Sequence, residues 1–301
     1  MATYKGIDVS KHQGKIDWQK VKSAGIQFAM LRAGYGRYAN QKDEQFEANY
    51  AGAKAAGIPV GAYHYSYAKT VEQAKQEAET FLSWIKGKTF DYPVAFDIED
   101  KSQAGLGKQL ISDIVRAFCE TVEAAGYYVC VYANKDWLVN RIDDDCKKKY
   151  DIWLAEWRDD KPTYNGSYGM WQYTSDGSVS GISGRVDMNY AYKDYPAIMK
   201  ANGLNGLKKT SSAGSASSNS TTSAGSTAKK FAAKTKVTLN KTPLYASATA
   251  KSPAAYKTGT FYIYDGKEIS GRYRITSSLD RAGKTPIGEN VTGYVNKADL
   301  K

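Results

Sequence analysis

Histidine and cysteine are scarce in these 301 residues, and each scarcity removes a class of site. With only His12 and His64, a zinc centre of usual composition is not expected, and neither a metal nor a cofactor is called for. The three cysteines (Cys119, Cys130, Cys146) are odd in number and form no close-set pattern, which argues against a disulfide framework. No apolar run reaches the roughly 18 residues a membrane span needs. The opening residues, Met1 to Gly6, lack a basic stretch followed by an apolar core, so the chain reads as made in a cytoplasm without a secretory leader.

Tyrosine is abundant, 24 residues with 6 Trp against 8 Phe, and pairs an apolar face with a hydroxyl. That suits stacking on sugars as well as half-buried surfaces. The net charge of +11 is unevenly placed. Residues 1–200 hold 26 basic and 26 acidic side chains, whereas residues 201–301 hold 16 and 5. A basic tail suggests an anionic partner: nucleic acid, a membrane surface, or an acidic polymer such as a cell wall.

Residues 1–200 read as alternating strands and helices. Strands are expected at 5–9, 26–31, 58–65, 127–132, 151–155, 168–174 and 184–188, with a central fourth strand in the stretch 92–100 whose apolar run 94–96 leads into Asp97 and Glu99. Asp17 caps one helix, Phe46, Tyr50 and Ala53 mark the face of another, and Thr70 with Gln73 opens a third. Three helices end in Ala-Gly (Ala24-Gly25, Ala56-Gly57, Ala125-Gly126) directly before an apolar strand, with glycine as the left-handed cap. About eight strands with fewer helices predict an α/β fold: an irregular, flattened β/α barrel. An open doubly wound sheet is the alternative, but no G-x-G-x-x-G follows the first strand. Residues 210–228 contain only Ser, Thr, Ala, Gly and Asn and cannot bury a core. The expected domains are therefore a barrel over 1–200, a flexible linker over 201–230 and a small all-β barrel over 231–301. Met199 precedes the linker; an internal translation start there would release a free tail domain, while the simpler reading has it packing a short final helix.

The stretch Val94-Ala95-Phe96-Asp97-Ile98-Glu99 carries two acids spaced i and i+2. On a strand they share a face, with Cα atoms roughly 6.6 Å apart. Catalytic groups of a parallel barrel gather at the C-terminal ends of its strands. By that rule Asp8, Asp97, Glu99 and Asp187 are delivered to one rim. Aromatics occupy similar positions: Tyr35, Tyr63, Tyr65, Tyr132, Trp153 and Trp171 are candidate substrate-binding residues. His64 reads as a core or rim histidine rather than a ligand.

Gly6-Ile7-Asp8-Val9-Ser10, Gly61-Ala62-Tyr63-His64-Tyr65, Phe96-Asp97-Ile98-Glu99, Met170-Trp171-Gln172-Tyr173 and Val186-Asp187-Met188-Asn189 together resemble the marks of glycoside hydrolase family 25 lysozymes. The resemblance spans residues 1 to about 200. It implies a muramidase that cleaves the β-1,4 bond between N-acetylmuramic acid and N-acetylglucosamine in peptidoglycan. It further implies Glu99 as proton donor, Asp97 as second catalytic carboxylate, and Asp8 and Asp187 as supporting acids. Close negative neighbours such as Asp97 would help Glu99 to keep its proton. Asp97 then acts either as a nucleophile or by steadying the substrate's own acetamido group, the latter being favoured. The tail resembles bacterial SH3-like cell-wall-binding modules, whose partner would be an anionic wall polymer or wall peptide. A phage endolysin, made in a host cytoplasm and acting on the wall, is the expected setting. A bacterial autolysin and a non-catalytic peptidoglycan binder on a decayed barrel are the alternatives. Nucleic acid is not the expected partner, because it leaves the acidic rim unexplained.

Overall fold

The computed structural model describes residues 3–208, 231–248, 250, 252–284 and 290–300, which fall into two units. The expected flexible linker lies largely outside the described residues. No helix among the described residues is long and apolar enough to cross a membrane.

In the first unit eight strands close into a barrel in sequential order. They are β1 (Tyr4–Val9), β2 (Phe28–Tyr35), β3 (Val60–Tyr65), β4 (Val94–Asp97), β5 (Val129–Asn134), β6 (Asp151–Ala155), β7 (Met170–Gly177) and β8 (Val186–Ala191). Helices α1 (Trp18–Ser23), α2 (Phe46–Ala55), α3 (Val71–Ile85), α4 (Lys108–Ala124) and α5 (Asp144–Lys149) cover the outside as far as β6. No helix joins β6 to β7 or β7 to β8, which makes the barrel irregular.

Local chemistry accounts for the element ends. Asp17 caps α1 by accepting from the Lys20 amide, and Thr70 caps α3 by accepting from that of Gln73. The Gln73 side chain returns to the amide of Lys69, one residue outside the simple capping box. Gly25, Gly57 and Gly126 adopt φ of 83°, 66° and 92°, a region that costs L side chains energy, so all three αβ joints work as expected.

One element departs from an all-parallel barrel. β1 to β7 run parallel, but β8 pairs antiparallel with both β7 and β1. The β7–β8 connection is too short for a parallel crossover, which needs about a dozen residues. Asp187 therefore lies near the start of its strand rather than at its end. Because that strand is reversed, its start meets the same rim.

The two-residue strand period splits the core into two layers. Ile7, Leu31, Val94, Phe96, Val131 and Leu154 face the helices, with Phe81, Ile114 and Phe118 packed over them. Phe28, Met30, Tyr63, Tyr92, Ala95, Cys130, Tyr132 and Trp153 fill the barrel. The three cysteines are free and buried. His64 is buried in the outer layer against Phe81, Trp84 and Phe118.

The chain beyond β8 closes the lower end of the barrel. Helix α6 (Tyr195–Asn202) packs Tyr195 and Met199 into the interior cluster, as the packing reading of Met199 expects. The Tyr195 hydroxyl donates to Asp151 Oδ2 at 2.7 Å, beside Tyr128 and Lys193. Asn205 is wholly buried: its Nδ2 donates to the Tyr92 carbonyl and its Oδ1 accepts from the Tyr128 amide, both at 2.7 Å. The first unit thus runs through Leu207, past the expected boundary at residue 200.

In the second unit β9 (Lys236–Leu244), β10 (Ala255–Ile269), β11 (Arg272–Thr276) and β12 (Gly293–Asn296) form an antiparallel sheet in the order β12-β11-β10-β9. The sheet curls until its edges meet, Tyr245 and Tyr294 exchanging backbone hydrogen bonds of 2.8 and 2.9 Å. Val237, Leu239, Phe261, Ile263, Tyr273, Ile275 and Val295 make its core. Arg274 is buried and paired with Asp265 at 2.7 Å, while the Arg272 guanidinium stacks on Tyr245.

Asn205→Gly keeps the left-handed backbone (φ 55°) but strands the Tyr92 carbonyl and the Tyr128 amide. The expected loss is about 2–4 kcal/mol of first-unit stability. Urea unfolding followed by tryptophan fluorescence measures it cleanly, since all 6 Trp lie in residues 1–208.

Candidate active site

The same alternation that builds the core selects the side chains of the upper rim. Gly6 and Asp8, Met30 and Arg32, Tyr63 and Tyr65, Ala95 and Asp97, Cys130 and Tyr132, Met170 and Gln172, Asp187 and Asn189 share parity with the interior positions of their strands. Glu99 lies just past β4, where the Ile98 amide still bonds the Tyr132 carbonyl at 3.1 Å and extends the ladder by one step.

Asp8 is the most heavily bonded of the four acids. Its Oδ2 accepts from Asn189 Nδ2 at 2.8 Å and from Gln172 Nε2 at 3.0 Å. Each amide is oriented in turn. Trp153 Nε1 donates to Asn189 Oδ1 at 2.8 Å, and Gln172 Oε1 accepts from the Tyr132 hydroxyl and from Trp157 Nε1. Asp187, directly opposite Asp8 in the β1–β8 register, is hydrogen-bonded to it. Burial and the Asp8 charge push Asp187 up to about 8. Burial also raises Asp8, against the two amides. The pair shares one proton, and Asp187 holds it because the amide donors favour the ionised form of Asp8.

Across the rim, burial raises Asp97 well above the usual carboxylate range; Glu99 and Asp8 add to the shift and Arg32 opposes it. Asp97 Oδ1 is buried with no hydrogen-bond partner among the described residues. Arg32 itself is held by Asp43 at 2.7 Å, whose other bonds come from the Lys11 and Gln45 amides. Glu99 is half-buried and raised, first by desolvation. The Asn134 side chain partly offsets this, while Asp8 and Asp100 add to it. Glu99 and Asp97 repel each other as their spacing suggested, the interaction adding to the upward shift of Asp97, and Asp8 and Asp100 raise Glu99 further.

The aromatic candidates separate into three groups. Tyr63, Tyr132 and Trp153 form a buried floor, with ring centroids 6.0 Å (Tyr63–Trp153) and 4.7 Å (Tyr132–Trp153) apart. Tyr35 and Tyr65 stand higher, in edge contact with Tyr67, and the Tyr65 hydroxyl donates to Asp100 at 3.0 Å. Trp171 joins neither group. It has the parity of Leu154 and Phe96, lies in the outer layer and donates to the Glu156 carbonyl at 2.7 Å. Its inward neighbour, Gln172, takes the place expected for it.

Sequence reasoning also passed over Arg32, Tyr67, Asn134, Trp157 and Asn189. The strand period, counted from Asp187, marks Asn189 two residues on, on the same face of β8. No local signal marks Arg32, whose role depends on Asp43 beyond the end of β2 and on Asp97 two strands away.

Four carboxylates converging on one rim of a β/α barrel, with raised pKa values and an aromatic floor, define a class of barrel able to exchange a proton with a bound substrate. The comparisons make the assignment specific. The profile of Glycosyl hydrolases family 25 matches residues 7–182, and the chain belongs to that family. It is 34% identical over 187 residues to the autolytic lysozyme of Clostridium acetobutylicum, covering 62% of this chain and 55% of that one. It is 33% identical over 197 residues to lysozyme M1 of Streptomyces globisporus, covering 61% and 66%. The match therefore spans between half and two thirds of these relatives' length. Among solved structures, the CTP1L endolysin superposes with a TM-score of 0.59 at 30% identity, covering 66% of this chain and 70% of that one. The bacterial lysozyme of Streptomyces coelicolor gives 0.55 at 30% identity, covering 64% and 94%.

The raised pKa of Asp187 has a consequence for stability. Between its ordinary value of 3.8 and about 8 the native pair keeps a proton that the unfolded chain releases. The native state then binds more protons, so first-unit stability falls as pH rises through that window and is greatest below it. Asp187→Asn, whose amide can still donate to Asp8, should flatten the curve. Urea midpoints from pH 4.5 to 8 measure this; an equally steep decline in the variant would contradict it.

Proposed function

We propose that this chain is a peptidoglycan hydrolase, an N-acetylmuramidase cleaving the β-1,4 bond between N-acetylmuramic acid and N-acetylglucosamine. The observation that carries the reading is the pair Asp97 and Glu99 at the rim, both shifted toward the protonated form, with Asp97 lacking a partner for one buried oxygen. Glu99, the more exposed of the two, is the general acid that protonates the leaving glycosidic oxygen. Asp97 Oδ1 accepts from the N–H of the substrate's 2-acetamido group, a donor that the fold itself omits. That bond favours the ionised form of Asp97, and the resulting charge keeps Glu99 protonated until the leaving oxygen takes the proton. The acetamido oxygen then closes on the anomeric carbon as the glycosidic bond breaks. The Asp8 carboxylate, held by its amide donors and by protonated Asp187, supplies negative potential to the oxocarbenium-like transition state, and Arg32 limits the repulsion among the acids.

The second unit is proposed to be an SH3-like module that binds an anionic wall polymer or wall peptide. Residues 231–301 carry 12 basic and 5 acidic side chains, and a tethered module raises the local concentration of the barrel at the wall. The setting proposed is host lysis by a phage endolysin, with cytolysis and antimicrobial action as its result. A bacterial autolysin is the second reading, favoured by the likeness to an autolytic lysozyme.

Glu99→Gln should lower release of muropeptides with reducing N-acetylmuramic acid ends by about 10²–10⁴-fold, read by mass analysis of digested Gram-positive walls. Full activity in that variant would end the assignment. Truncation after residue 208 should leave turnover of soluble glycan fragments intact and weaken sedimentation with intact walls. The wild-type wall binding should itself weaken as salt rises.

A further inference from the structure

Trp157 lies two residues beyond β6 and is 63% exposed, more than any other large hydrophobic residue described in the first unit. Its position is nevertheless fixed. The Glu156 amide bonds the Gln172 carbonyl at 3.2 Å and the Arg158 amide bonds that of Tyr173 at 3.0 Å, so the backbone on either side is tied to β7. The indole Nε1 donates to Gln172 Oε1 at 3.0 Å. A single exposed hydrophobic side chain is ordinary, but a ring already held rigid can be covered by a ligand with little ordering cost, removing its apolar area from water.

The barrel order says what could. The β6–β7 edge lies half a circuit from β2–β3, where Tyr35, Tyr65 and Tyr67 stand. A chain crossing the rim between these edges passes Asp8 and Asp187 on one side and Asp97 and Glu99 on the other. We propose that Trp157 is a stacking platform for a pyranose ring at the β6–β7 edge of the rim, and that its indole N–H positions Asp8 through Gln172. The inference rests on the muramidase reading and names the residue that would grip the glycan opposite the tyrosines.

Both roles have a geometric basis. The C–H face of a β-1,4-linked N-acetylhexosamine packs on an aromatic face, and the fixed indole is already in place to receive it. Gln172 Oε1 accepts two donors, Tyr132 and Trp157, which together fill its lone pairs. The amide can then present only Nε2 to Asp8, as observed at 3.0 Å. Without the indole donor only Tyr132 orients the amide, Asp8 loses part of its stabilisation as an anion, and its protonated form gains.

Two variants of the full chain separate platform from positioning. With a β-1,4-linked N-acetylglucosamine tetramer as probe and Glu99→Gln as the background, Trp157→Ala should weaken binding about five- to tenfold, and Trp157→Phe by no more than about threefold. In the active protein, Trp157→Phe should move the acid limb of the wall-turnover pH profile upward with KM little changed. Protection of Trp157 from N-bromosuccinimide by the tetramer, mapped by mass spectrometry on the wild-type protein, tests the platform without relying on a variant. Wild-type affinity in Trp157→Ala, or undiminished oxidation at saturating tetramer, overturns the platform. An unmoved acid limb in Trp157→Phe overturns the positioning role. Full turnover by Glu99→Gln would end the muramidase reading while leaving the binding measurements to decide on Trp157.

Discussion

The closure of β8 on β1 is the constraint on which the site depends. Pairing the two strands antiparallel sets Asp8 directly opposite Asp187, and two carboxylates so placed cannot both ionise cheaply in a buried environment. The fold resolves this with one shared proton and two amides, Asn189 and Gln172, drawn from the neighbouring positions of β8 and β7. Their orientation depends on Trp153, Tyr132 and Trp157, so the aromatic floor does more than fill space. A barrel closed by a parallel eighth strand would need a further crossover and would put Asp187, near the start of that strand, at the opposite rim of the barrel.

Acid chemistry at this rim is a product of burial more than of charge repulsion. Desolvation is the leading cause of the upward shift at Asp8, Asp97, Glu99 and Asp187 alike. What differs among them is how each is compensated. Asp8 has amides, Glu99 has Asn134, and Asp97 has the nearby positive charge of Arg32 but an unpartnered oxygen. An uncompensated buried acceptor is costly, and such costs gather where a ligand can supply the missing donor.

The same dependence on distant chain holds at the base of the barrel. Tyr195, Met199 and Asn205 come from beyond residue 182, where the family match ends, yet the first two fill the barrel and Asn205 satisfies the backbone just ahead of β4 and β5. The second unit is basic and has its own small core. Its Arg272 and Arg274 are fixed within the fold by Tyr245 and Asp265, so its net positive charge is carried to a large extent by lysines.

Strand and helix positions, the glycine joints and the placing of Asp8, Asp97 and Glu99 at strand ends were legible locally, because hydrophobic period, capping residues and left-handed glycines act within a few residues of chain. The direction of β8 was not: a short connection and an apolar alternation read the same whether a strand runs up or down. Trp171 and Gln172 show the same limit, since both lie in one recognisable motif and only the inward parity of β7 tells which faces the acids. Arg32, Asn205 and Trp157 matter through partners 11 to 113 positions away along the chain. Sequence alone therefore determined the barrel class, the acids and the basic tail. Tertiary structure decided which acid keeps which proton, because that depends on burial and on donors brought in from other strands.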